Sequence, residues 1–210
     1  RQGEPLIGLL CDYQEHLGID EITFHKNSAT INDKPKITDL LNRGARLCVD
    51  DGNMNKFKKL GIDPDLESEE SIKRASVVID CTPKGIGHIN KQKYYEPFSN
   101  DVKGFLAQGS EDGFGKKYAR GINDKILKNG DQFIQIVSCN THNMAAITKT
   151  IALLDDPDNL IEGKYVCIRR ANDLSQSDNF IPSPQVGIHS SEKYGSHHAA
   201  DAAGLFSTLG

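Results

Sequence analysis

An α/β fold on a mostly parallel sheet is the architecture this 210-residue sequence predicts. Three observations lead there. Strand-like and helix-like segments alternate over the first 137 or so residues, a pattern that parallel sheets with crossover helices produce. "SVVID" (76–80) is a continuous apolar run of the kind buried on both faces. Helical patterns stop at glycines such as Gly18 and Gly61, which tolerate the left-handed turn that ends a helix.

The elements follow in order. "EPLIGLLCDYQEHLG" (4–18) predicts an amphipathic helix with Leu6, Leu10, Tyr13 and Leu17 on one face. "DEITFHK" (20–26) predicts a short strand. "KITDLLNRGARLCVDD" (36–51) reads as a helix and then a strand, and "NMNKFKKLGI" (53–62) as a short helix. "SEESIKRA" (68–75) gives a helical turn or two before the apolar strand. "VKGFLAQ" (102–108) is a further strand, "NDKILKNG" (123–130) a helix and "QFIQIVS" (132–138) another strand. After Cys139 a helix should carry Met144, Ile147, Ile151 and Leu154 on one stripe. "KYVCIRRA" (164–171) reads as a strand, and a polar loop runs from 172 to about 196.

Composition narrows the function classes. The hydrophobic fraction is 37% and the charged fraction 26%, values of a globular chain able to bury a core. The net charge is −4, so there is no basic field for nucleic acid or anionic lipid. No apolar run approaches a membrane span, and the first residues lack the long apolar segment of a secretory signal. The five cysteines are scattered, odd in number and form no C-x-x-C pair. That argues for a reducing compartment and against a disulfide scaffold or a zinc site. The chain does not begin with Met and opens at a helix start, so it is expected to be an internal piece of a longer chain.

Cys139 sits where a strand meets a helix, with Asn140 or Thr141 able to cap that helix. The unpaired N–H groups of a helix start favour thiolate over thiol and could hold an oxyanion or a phosphate. The competing role for the same residue is a small core filler. Arg1-Gln2-Gly3 would complete a dinucleotide fingerprint if G-x-G preceded it, with Gly3 letting helix and strand pack closely; alternatively Gly3 is an ordinary helical glycine. Lys26 lies 23 residues after Gly3, at a strand end where an acid selects NAD and a cation suits the 2′-phosphate of NADP; it could equally be a solvated lysine. "VVIDCTPKGIG" (77–87) is a strand running into a turn that would line a cofactor crevice or be a plain turn. Arg169-Arg170 are candidate anion ligands. His197-His198 are adjacent rather than spaced for a metal, and no metal site is expected.

Together these stretches resemble the archaeal-type (type II) glyceraldehyde-3-phosphate dehydrogenases. Arg1-Gln2-Gly3, "VVIDCTPKGIG", "AQGSE" (107–111), "IVSCNT" (136–141) and "IRRA" followed by "SHH" (196–198) occur in that family's order. The resemblance implies a Rossmann-type parallel sheet whose first strand is missing, over residues 1–138, followed by part of an α+β catalytic domain over 139–210. It implies Cys139 as nucleophile, with Ser138, Asn140, His197 and His198 at the substrate. It implies Gly3, Lys26, Gly109 and Arg170 at NAD or NADP, and glyceraldehyde 3-phosphate with inorganic phosphate as reactants. A cytoplasmic homotetramer is implied as well.

The pattern departs in places. His142-Asn143 replace the Thr-Gly of typical members, "SHHAAD" replaces SHHGPD, and "AQGSE" replaces a double glycine. A short insertion falls between Cys139 and Arg169, and the family's catalytic histidine is expected beyond residue 210. These departures bear on substrate identity more than on reaction class, and the stretch alone is expected to be inactive. Three alternatives stay open: a related semialdehyde or acyl-phosphate dehydrogenase, a non-catalytic nucleotide-binding regulator, and a plain α/β domain with core cysteines.

Overall fold

The computed structural model describes residues 3–28, 30–109, 111–153, 156–167 and 194–209. The chain divides into two compact units, with the boundary between Leu106 and Ala107. Both show the expected α/β character, with parallel strands and flanking helices.

The first unit opens with helices α1 (Gly3–Asp12) and α2 (Gln14–Leu17). Gly18 ends α2 at φ 64° and returns its N–H to two carbonyls of that helix, the left-handed stop that glycine makes without strain. Strand β1 (Thr23–His25), helix α3 (Lys34–Asn42), strand β2 (Arg46–Val49), helix α4 (Met54–Lys59) and strand β3 (Leu66–Glu67) follow. β1 pairs with β2 in parallel, Phe24 opposite Leu47, and β2 pairs with β3, Val49 opposite Glu67. Ile22, Phe24, Leu47 and Val49 from the sheet and Ile37, Leu40 and Phe57 from the helices form one buried cluster. Burial of a Leu, Ile or Phe side chain contributes about 1.5–3 kcal/mol, so this cluster is the main stabiliser of the unit. Helix α5 (Ser68–Arg74) leads to strand β4 (Val77–Asp80). Helix α6 (Ile86–Asn90) continues through a five-residue π-turn, Lys91–Tyr95, before strand β5 (Gly104–Gln108). Lys103 N donates to Ser76 O at 2.9 Å, tying the start of β5 to the start of β4.

In the second unit, strands β6 (Lys116–Tyr118) and β7 (Phe133–Ile136) pair in parallel, Lys117 opposite Gln135. Helix α7 (Cys139–Thr148) follows directly on β7, and helix α8 (His197–Phe206) packs on it. Ala119, Ile122, Val137, Ala145 and Leu205 make the small core where these elements meet.

Four local expectations fail. α1 turns Leu10 to the core as expected, together with Ile7 and Cys11, but Tyr13 and Leu17, which follow α1, are more than half exposed. β4 is not buried on both faces: Val77 is half exposed, and composition sets a strand's propensity rather than which faces its neighbours cover. Residues 123–130 form only a 3₁₀ turn, Asp124–Ile126. There the Asn123 Oδ1 accepts from Ala119 N and the Asp124 carboxylate from Gly121 N, so side chains satisfy the backbone in place of a helical ladder. On α7 Met144 is buried as expected, with Thr141, Ala145 and Thr148, but Ile147 faces outward and Ile151, past the end of α7, is exposed. Leu154 lies outside the described residues. Of the strand expected at 164–171, residues 164–167 are irregular and the rest lies outside the described residues, as does most of the polar loop.

Candidate functional site

The junction of β7 and α7 places Cys139 as the first helical residue, exposed to solvent. The cap is Ser138, not Asn140 or Thr141. Its backbone is extended (φ −63°, ψ 157°), its Oγ accepts from Thr141 N at 3.3 Å, and its carbonyl accepts from His142 N at 2.8 Å. A serine one residue before the thiol starts the helix earlier than an asparagine cap would, so the sulfur stands in the first turn.

A second helix begins at the same place. Gly195 adopts φ 69°, Ser196 Oγ accepts from Ala199 N at 3.3 Å, and α8 starts with His197-His198. The two rings lie 3.8 Å apart between centroids. His198 reaches across: its Nδ1 is 2.8 Å from Ser138 Oγ and 3.3 Å from Thr141 Oγ1, and its Nε2 is 3.4 Å from Asn140 Nδ2. Thr141, buried, also donates to the His198 carbonyl at 3.5 Å. Ser138, Asn140 and His198 thus form one hydrogen-bonded group beside Cys139. His197, next in the chain to His198, is exposed. Thr141 is the member that sequence reasoning assigned only to capping.

His142 is committed elsewhere. Its Nε2 donates to the Arg120 carbonyl at 3.0 Å, which fixes that nitrogen as the protonated one. Three of the other thiols are less exposed than Cys139. Cys48 is buried, and burial pushes its thiol up; Cys81 and Cys11 are partly buried and are raised for the same leading reason. Cys167 is exposed, in irregular chain.

The candidate cofactor residues are spread over both units. Gly3 opens α1, and a Cβ there would come 3.3 Å from Cys81 Cβ, just past β4. That close approach is what a glycine at a helix–strand contact permits. Lys26 follows β1, and its Nζ lies 3.0 Å from Asp33 Oδ1, so it is ion-paired rather than simply solvated. Thr30 and then Lys26 hold the Asp33 carboxyl below its ordinary range. Gly109, at φ 71° just after β5, has open space where a Cβ would be. Arg170, with Arg169, lies outside the described residues.

Sequence reasoning missed Asp80. It ends β4 buried, and its carboxylate accepts from Thr82 N at 2.8 Å, Asn90 Nδ2 at 2.9 Å and Tyr95 OH at 2.7 Å, besides the Thr82 hydroxyl. Burial alone would raise its pKa, but these donors outweigh it and the carboxyl is held low. Burial, and then the neighbouring Asp80 charge, push the Tyr95 hydroxyl strongly up. The Asp-x-Thr-Pro spacing was the available signal. This knot fixes the turn after β4, the turn expected to line a cofactor crevice.

The comparisons bear on this thiol-bearing junction. A glyceraldehyde-3-phosphate dehydrogenase of Saccharolobus solfataricus is 28% identical over 177 residues, covering 80% of this chain and 47% of that protein. The chain resembles archaeal glyceraldehyde-3-phosphate dehydrogenases. One from Methanobrevibacter smithii is 29% identical over 157 residues, 70% of this chain and 41% of that protein. One from Pyrobaculum islandicum is 30% identical over 118 residues, 54% and 32% respectively. The chain therefore spans about a third to a half of the length of the curated relatives it matches. No family model matches it. Among the described residues there is no group of metal-ligating side chains, and no helix is long and apolar enough to cross a membrane.

Proposed function

We propose that this chain carries the nucleotide-binding part and the thiol-bearing part of an NAD(P)-dependent oxidoreductase that converts glyceraldehyde 3-phosphate and inorganic phosphate to 1,3-bisphosphoglycerate. One observation carries the reading: an exposed Cys139 in the first turn of α7, beside the Ser138–His198–Asn140 group. Similarity to dehydrogenases of that name supports it.

Residues of the first unit fit a dinucleotide. Gly3 allows the close helix–strand contact, and Lys26 keeps donors beyond the one Asp33 takes, so either a free ribose or a 2′-phosphate is acceptable. Gly109 and Arg170 complete the proposed set. When bound, the nicotinamide supplies the hydride acceptor.

The protein's own steps are nucleophilic. The Cys139 sulfur adds to the aldehyde carbon, giving a thiohemiacetal whose oxygen is held by donors of the Asn140–His198 group and the start of α7. His197 and His198 would orient the substrate. Oxidation of the thiohemiacetal leaves a thioester. An inorganic phosphate oxygen then attacks the acyl carbon, the C–S bond breaks, and the thiolate departs with the acyl phosphate formed. Splitting the oxidation into two steps lowers each barrier. The functional division would fall between Ser138 and Cys139, with a homotetramer in the cytoplasm as the working form.

The test is Cys139→Ser in the full natural chain that carries this sequence. Oxidation of glyceraldehyde 3-phosphate, followed as reduced nicotinamide, should fall by at least about 10⁴-fold while NAD(P) affinity stays within twofold. Retained turnover would refute the assignment. Turnover of aspartate semialdehyde in place of the phosphorylated aldehyde would move the reading to the semialdehyde dehydrogenases.

A further inference from the structure

A charged contact sits behind the His198 group. Lys117, the middle residue of β6, donates to Asp201 Oδ1 at 2.6 Å and lies 2.8 Å from Asp112 Oδ1. Asp201 belongs to α8 and is buried, three residues after His198 and so one helical turn below it. Burial works against the Lys117 charge, yet the two carboxylates more than offset it and the ammonium stays protonated. The neighbour of Lys117 across the sheet is Gln135, fully buried, and Lys117 itself is partly buried.

α8 is held at its far end by Leu205 in the small apolar core. Its N-terminal half meets the rest of the unit through polar contacts that include the His198 bonds and the Lys117–Asp201 pair. We propose that Lys117 is a positioning residue. Through Asp201, one turn further along, it pins the N-terminal half of α8 to β6, and so holds the His198 ring against Ser138 and Thr141 beside the thiol. Removing the lysine charge leaves a buried carboxylate uncompensated. Relief of that charge by a shift of the N-terminal half of α8 would carry His198 with it. This inference rests on the reading of His198 as part of the substrate site.

The experiment uses the full chain with Lys117→Met, Lys117→Arg and Asp201→Asn, the last keeping the side-chain shape. Two quantities are read: the imidazole nitrogen resonances of ¹⁵N-labelled His198, and kcat/KM for glyceraldehyde 3-phosphate. Lys117→Met and Asp201→Asn should shift the His198 resonances and lower kcat/KM by up to about 10²-fold. Lys117→Arg should restore both. In a His198→Ala background Lys117→Met should add no further loss, because the two act through one contact. Unchanged His198 resonances in folded Lys117→Met and Asp201→Asn proteins would overturn the proposal, as would fully additive losses. If His198 responds as expected while even the wild-type chain fails to oxidise the aldehyde, the pin stands and the dehydrogenase reading falls.

Discussion

Cys139 owes its exposure to the residue before it. Ser138 takes the cap position, so the sulfur enters the first turn of α7 instead of packing under it. Cys48 shows the other fate: it pairs opposite His25 in β2, is buried, and its thiol is pushed up by burial. Two cysteines of one chain thus divide between a buried and an exposed position according to whether a strand or a helix start carries them. Asp80 is a residue whose environment dictates its charge. Its folded pKa is depressed, so its stabilising contribution is complete above the ordinary carboxylate range. That contribution is lost as pH falls through the depressed folded value. Asp80→Asn should therefore destabilise the first unit by about 2 kcal/mol at neutral pH and flatten the acid limb of its stability curve. Chemical denaturation across pH 3 to 7 checks this; a variant whose deficit stays constant to low pH would contradict the role given to the carboxylate.

At the scale of elements, the two serine caps do most to build the site. Ser138→Ala removes the acceptor of Thr141 N and a partner of His198 at once. It should cost about 1 kcal/mol in thermal unfolding, the usual value for a lost cap. It should also weaken substrate binding more than Ser196→Ala, because Ser138 Oγ lies 2.8 Å from His198 Nδ1 as well as capping its helix. Equal effects of the two variants on KM would argue that Ser138 acts only as a cap. Most elements were legible from residue order: β1, β2, β4, β5 and β7 lie inside the segments expected to be strands, and Gly18 and Gly61 adopt the positive φ their positions called for. The misses have common physical causes. β3 and β6 are two and three residues long, too short for alternation to register. α8 has a sequence dominated by His, Ala and Gly, and its buried residues Asp201, Ala202 and Leu205 include a charge that only the later contact with Lys117 explains.

For the molecule as a whole, the α/β class followed from alternation alone, because parallel pairing needs the crossover helices that periodicity reveals. The convergence of two helix starts did not follow from it. That Ser138 and His198, 60 residues apart, would share a hydrogen bond is a long-range fact with no local signal. Only the resemblance to a known family placed the two stretches at one site before their distances were known. The central claim is that the Cys139 sulfur forms a covalent bond to the substrate carbonyl carbon. The most direct measurement is mass spectrometry of the full chain, acid-quenched after mixing with glyceraldehyde 3-phosphate and NAD(P) in the absence of phosphate. A 3-phosphoglyceroyl thioester on the peptide containing Cys139, absent when inorganic phosphate is added before the quench, is the predicted result. An adduct on another cysteine, or reduced nicotinamide formed with no adduct on Cys139, would contradict it.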